Sequence, residues 1–129
     1  MARRSVLICL IGLGLLSVSG SALAQQEADR LSGYWKKIGE SVYMKIVNTN
    51  GVYEAEMVRN DWSPGLVGSS IFSDATQVGN RSNRWAGVPG ADPSGSAKMR
   101  ITPSGELTIR LRPGGRSKWE QSEHVEKRR

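Results

Sequence analysis

From residue 97 to the end of the chain's apolar pattern, hydrophobic and polar positions alternate with a period of two. Met99, Ile101, Leu107, Ile109, Leu111 and Trp119 fall on one side; the residues between them are mostly cations. A period of two is the signature of strands, whose successive side chains point to opposite faces. Two turn signals divide the run: TPSG (residues 102–105) and RPGG (residues 112–115). Each has proline second and glycine fourth, which suits a type I turn closed by a left-handed glycine in a three-residue hairpin loop. Loops of that length pair Ile101 with Leu107, Met99 with Ile109, and Ile109 with Trp119. Loops of two or four residues would turn Leu107 or Trp119 away from the apolar side.

A second hairpin precedes this one. VYMKIVN (residues 42–48) and VYEAEMV (residues 52–58) flank Asn50-Gly51. Asn-Gly suits a two-residue type I′ turn, whose central residues both need positive φ. That turn sets Asn48 opposite Tyr53, Ile46 opposite Ala55 and Met44 opposite Met57, with Lys45 facing Glu56 on the other side. A one-residue slip would destroy both matches. GYWKK (residues 33–37), GLVGSSIF (residues 65–72) and RWAGV (residues 84–88) supply further strands. SDATQVGNRSN (residues 73–83) and PGADPSG (residues 89–95) are expected to be loops. No apolar stripe of helical period runs beyond about two turns after residue 24. The pattern predicts an all-β protein: a small antiparallel up-and-down barrel of about seven to eight strands, with a β-sandwich as the alternative.

The N-terminus reads differently. Arg3 and Arg4 precede an apolar run over residues 6–16, and Ala22-Leu23-Ala24 supplies a small-x-small cleavage pattern before Gln25. This predicts a signal peptide over residues 1–24 and a periplasmic or secreted protein. The run is shorter than the ~20 apolar residues that span a bilayer, so no transmembrane segment is expected after cleavage. The expected organisation is therefore leader 1–24, barrel domain 25–120 and charged flexible tail 121–129. Cys9 is the sole cysteine and lies in the leader, leaving no thiol or disulfide in residues 25–129. The full chain has a net charge of +6, of which Arg3 and Arg4 supply two.

The remaining charge is concentrated. Lys98, Arg100, Arg110, Arg112, Arg116 and Lys118 all take the outward parity of the second half. The expected register sets Lys98 against Arg110, Arg110 against Lys118, and Arg112 against Arg116, with Arg100 beside Thr108. Like charges facing each other across strands are destabilising. Two readings account for them: a solvated face that discourages edge-to-edge pairing, or a docking surface that draws in anions. No aromatic residue is interleaved there as a stacking platform for nucleic acid would require.

The sequence offers no catalytic constellation, metal set or cofactor fingerprint, and the protein is expected not to be an enzyme. His124, the sole histidine, falls in the charged tail. Asp61 and Trp62, in NDWSPG, resemble a sugar-binding loop, and Glu54 and Glu56 share a strand face. Those acids also serve as partners for Lys45 and its neighbours.

Gly33-Tyr34-Trp35 near the start, then Pro64-Gly65-Leu66-Val67-Gly68, Trp85-x-Gly87, Asp92-Pro93-Ser94-Gly95, Gly105-x-Leu107 and Trp119, follow in order. The set resembles a family of small uncharacterised bacterial periplasmic proteins with a lipocalin- or avidin-like barrel. The resemblance spans residues 32–120 and implies a fold and a compartment, without an activity. Two functions are expected from these readings. The first is a binding protein whose basic face takes an anionic envelope component or an acidic protein. The second is a carrier of a small apolar ligand inside the barrel, with Trp35 and Trp85 near the pocket.

Overall fold

The computed structural model describes residues 29–123; the expected leader and most of the expected tail, His124 included, lie outside them. The chain separates into two units, residues 1–30 and 31–129. The second unit is all-β. Its strands are β1 (Gly33–Lys37), β2 (Val42–Thr49), β3 (Val52–Asn60), β4 (Ser70–Gln77), β5 (Arg84–Pro89), β6 (Ser96–Ile101), β7 (Leu107–Arg112) and β8 (Gly115–Ser122). They form a closed antiparallel barrel in sequence order. Closure comes from β1, which pairs with β2 through Trp35 and Met44 and with β8 through Trp35 and Gln121. β8 thus continues two residues past the expected end of the domain at Glu120, because Gln121 and Ser122 find partners on β1.

The first hairpin has the register its turn dictates. Lys45 faces Glu56, Ile46 faces Ala55 and Asn48 faces Tyr53. Asn50 and Gly51 take φ values of 54° and 88°, and Asn48 Oδ1 accepts the Gly51 N–H at 2.7 Å. Met44 meets Met57, and the register shifts at a bulge between Met44 and the preceding Tyr43, which faces Arg59.

Two expectations around β4 are corrected. Residues 65–69 do not form a strand: Pro64–Leu66 is a 3-10 turn, and Gly68 has φ 96°. The strand instead begins at Ser70 and runs through residues 73–77, which were expected in a loop. The cause is a bulge. Asp74 takes φ 54°, so Phe72 and Ala75, three apart, both point into the core. A bulge inserts one extra residue and breaks the alternation by which strands are recognised. Gly87 on β5 is fitted to this irregularity: a Cβ there would lie 2.5 Å from the Ser73 carbonyl oxygen and 2.8 Å from Ala75 Cα.

The β6–β7 hairpin pairs Ile101 with Leu107, Met99 with Ile109, and Lys98 with Arg110, as expected. The β7–β8 hairpin is offset by two residues. Trp119 faces Leu107 rather than Ile109, Ile109 faces Ser117, and Leu111 faces Gly115. A shift of two keeps every side chain on its face, so the alternation cannot distinguish the two registers. Within β8, the Trp119 indole N–H donates to Ser117 Oγ at 2.8 Å.

The barrel interior is filled by Leu31, Trp35, Met44, Ile46, Tyr53, Phe72, Trp85, Met99, Leu107, Ile109 and Trp119 with their smaller neighbours. Trp35 donates its indole N–H to the Leu31 carbonyl at 2.9 Å, tying the segment before β1 to the core. Tyr53 meets Trp85 edge to face at 6.1 Å. Gly87→Ala, which forces a methyl against the β4 backbone, is expected to lower stability by about 1–3 kcal/mol in a urea titration. Gly65→Ala, at a site with open space and no positive φ, should leave the same curve nearly unchanged.

Candidate anion-binding face

The outward positions of β5 to β8 form a grid of two rows. Arg84, Arg100, Thr108 and Lys118 follow one another across the four strands in the first row. Ala86, Lys98, Arg110 and Arg116 make up the second. Six of the eight positions are cationic, and the other two, Ala86 and Thr108, are short. The result is a depression of about 510 Å³ with small residues at its floor and guanidinium and ammonium groups around it. Strands lie about 4.8 Å apart, so the grid spans roughly 14 Å from β5 to β8 at the backbone.

Three like-charged pairs face each other directly: Arg84 with Arg100, Lys98 with Arg110, and Arg110 with Arg116. The offset of the last hairpin changes the expected pairing: Arg110 meets Arg116, and Lys118 meets Thr108. Each such pair costs a few tenths to about 1 kcal/mol. One acid enters the depression: Glu106, 4.0 Å from the Lys118 ammonium. Elsewhere the barrel avoids like-charged pairs, with Lys45 opposite Glu56 and Lys36 opposite Glu120.

Five of the six expected cations, Lys98, Arg100, Arg110, Arg116 and Lys118, line this depression. Arg112 does not. It shares the outward parity but faces Ser96 across β6 and stands at the end of the strand, beyond the grid. Arg84 belongs to the site and was not among the residues expected from the sequence. The signal that could have found it is the pairing of Trp85 with Met99, two inward residues, which sets Arg84 beside Arg100.

Trp35 and Trp85, expected near a ligand pocket, are both 1% exposed and packed in the barrel core. The Trp85 indole N–H has no hydrogen-bond partner among the described residues. Glu54 and Glu56 are neighbours on one face of β3, and Asp61 lies apart from them. Asp61 accepts two hydrogen bonds from the Arg59 guanidinium, at 3.1 and 3.0 Å. Five residues of extended chain, about 16 Å, separate it from Glu56. That exceeds the ~5–9.5 Å between the paired carboxyl groups of glycoside hydrolases. Among the described residues there is no group of three or more His, Cys, Asp or Glu able to hold a metal ion. No described helix is long and apolar enough to cross a membrane.

The Asp92-Pro93-Ser94-Gly95 motif builds the turn between β5 and β6. Asp92 accepts hydrogen bonds from the Ser94 hydroxyl at 2.6 Å and the Ser94 N–H at 3.1 Å. The Ser94 side-chain and backbone bonds hold the Asp92 carboxyl below its usual value of 3.8. Comparisons with protein-family models, curated proteins and solved structures find no match. The molecule is therefore defined by its own geometry, a closed eight-stranded barrel with a cationic outer face.

In an NMR titration, Asp92 should ionise below 3.8, and Ser94→Ala should move its midpoint upward. Because the folded value is depressed, the turn's contribution is present above 3.8 and is lost as the pH falls through the lower folded value.

Proposed function

We propose that this is a non-enzymatic binding protein of the cell envelope, exported by a cleaved leader, whose basic face engages an anionic envelope component or an acidic protein. The observation that carries this reading is the grid itself. Six cations occupy eight adjoining outward positions over a small-residue floor. Solubility alone would be served by interspersed charges of both signs. A cluster of one sign concentrates opposite charge at the surface and speeds encounter. The fold resemblance to lipocalin-like periplasmic proteins belongs to the same proposal, as do export and the absence of catalysis.

A second reading, a carrier of a small apolar ligand, is favoured by one feature. The barrel opens at one end into a depression of about 470 Å³ whose lining includes Val42, Met57, Ile71, Leu111 and Trp119. Native mass spectrometry of the protein from its source distinguishes the two, since a carrier retains its ligand.

The basic face is tested by retention on dextran sulfate. The wild type should bind and be released as ionic strength rises from about 0.01 M to about 0.15 M. The triple variant Arg84→Gln, Arg100→Gln, Arg110→Gln should lose most of this binding while its melting temperature stays level or rises, because three like-charged contacts are relieved. Unchanged retention would remove the proposal.

A further inference from the structure

Strand order places four connections at one end of the barrel: β1–β2, β3–β4, β5–β6 and β7–β8. This is the end that opens into the 470 Å³ depression. It differs in chemistry from the opposite end, whose connections are NG, VGNRSN and TPSGE. Here Ile38, Trp62, Leu66 and Val67 all stand in solvent, Trp62 at 79% exposure. The other exposed large apolar side chains among the described residues are three separate valines.

The exposure of Trp62 is built into the loop. Asn60 is buried, and its Oδ1 accepts the N–H groups of Trp62 at 3.0 Å and Ser63 at 2.8 Å. The Asp61 N–H reaches across to the Ser41 carbonyl at 3.2 Å in the β1–β2 turn. Gly68 donates to the Met57 carbonyl at 2.8 Å, and Met57 donates to Ser69 at 2.9 Å, so the loop is clamped back onto β3. The 3-10 turn at Pro64–Leu66 lies between these ties. The loop's apolar tip is thus held outward without a buried counterpart. Tryptophan ringed by polar backbone suits a boundary between apolar and aqueous phases.

Charge selects the occupant. The cations Lys37 and Arg59 at this end are paired with Glu40 and Asp61. Arg112 and Arg116, flanking the β7–β8 turn, have no acid within ion-pair distance among the described residues. Arg116 lines both the mouth and the basic depression, so the cationic surface runs without a break onto the apolar rim. An apolar tip across the mouth from unpaired arginines matches a surface that is greasy beneath and negative on top. From this we infer that the mouth end docks on an anionic lipid bilayer, with Trp62 and Leu66 entering the headgroup boundary and Arg112 and Arg116 meeting lipid phosphates. This rests on the basic-face reading and names its partner.

The test uses residues 25–129, which keep every strand of the barrel, since closure lies wholly within Gly33–Ser122. The protein is mixed with vesicles of phosphatidylcholine, alone or with phosphatidylglycerol. Trp35, Trp85 and Trp119 are at most 3% exposed, so fluorescence accessible to acrylamide comes from Trp62. Anionic vesicles should shield that fluorescence, shift it to the blue and sediment the protein, and they should do so less at high salt. Trp62→Ser with Leu66→Ser should weaken vesicle binding by about tenfold or more, with retention on dextran sulfate unchanged. Wild-type protein that binds dextran sulfate but not anionic vesicles would overturn this inference and leave the basic-face reading standing. So would equal binding to neutral vesicles, an unshifted Trp62, or a loop variant that binds like the wild type. Binding to neither dextran sulfate nor vesicles would remove both.

Discussion

The pairing of β1 with β8 is the contact on which the rest of this structure depends. It joins the first strand of the barrel to the last, through Trp35 with Gln121 and Lys36 with Glu120. A closed barrel has no edge strand, so every strand's backbone groups find partners. Closure also divides the side chains into two populations with no third option. Inward residues pack around Trp35, Trp85 and Phe72; outward residues meet solvent or a partner. The basic face is a consequence of that division, because a cation on β5 to β8 has nowhere to point but out.

The grid is costly for a fold of this size. Like charges meet directly at three places, and each meeting opposes the sheet that creates it. The same barrel matches opposite charges on its first strands, where Lys45 faces Glu56. Its apolar interior, with large aromatic groups fully buried, absorbs that cost. A surface held at the expense of stability is the pattern expected where a site is used. The mouth end extends the argument. There the hydrogen bonds of Asn60 and Met57 fix a loop whose exposed groups gain nothing from the barrel itself.

Much of this was legible in the residues because alternation and turn chemistry act locally. Asn50-Gly51 alone sets the register of the first hairpin, since only positive φ at both positions closes that turn. The alternation after Ala97 assigns each side chain to a face, and five of the six expected cations line the depression. It does not assign strand neighbours. The β7–β8 hairpin could slip by two residues without moving any group across the sheet, and the structure takes the register that sets Trp119 against Leu107.

What tertiary structure decided is what depends on contacts between strands distant in sequence. Arg84 joined the basic face only when β5 paired with β6. Residues 73–77 became a strand because β3 and β5 lie on either side to pair with them, despite a bulge at Asp74 that hides their periodicity. The mouth, with Trp62 on one side and Arg116 on the other, gathers residues from four connections that no local pattern brings together. The sequence by itself determined the period of each strand, the tight turns and the inward or outward sense of each side chain, because these are properties of a few adjacent residues. Closure, neighbour choice and the composition of each surface required the whole sheet, because they follow from which strands lie side by side.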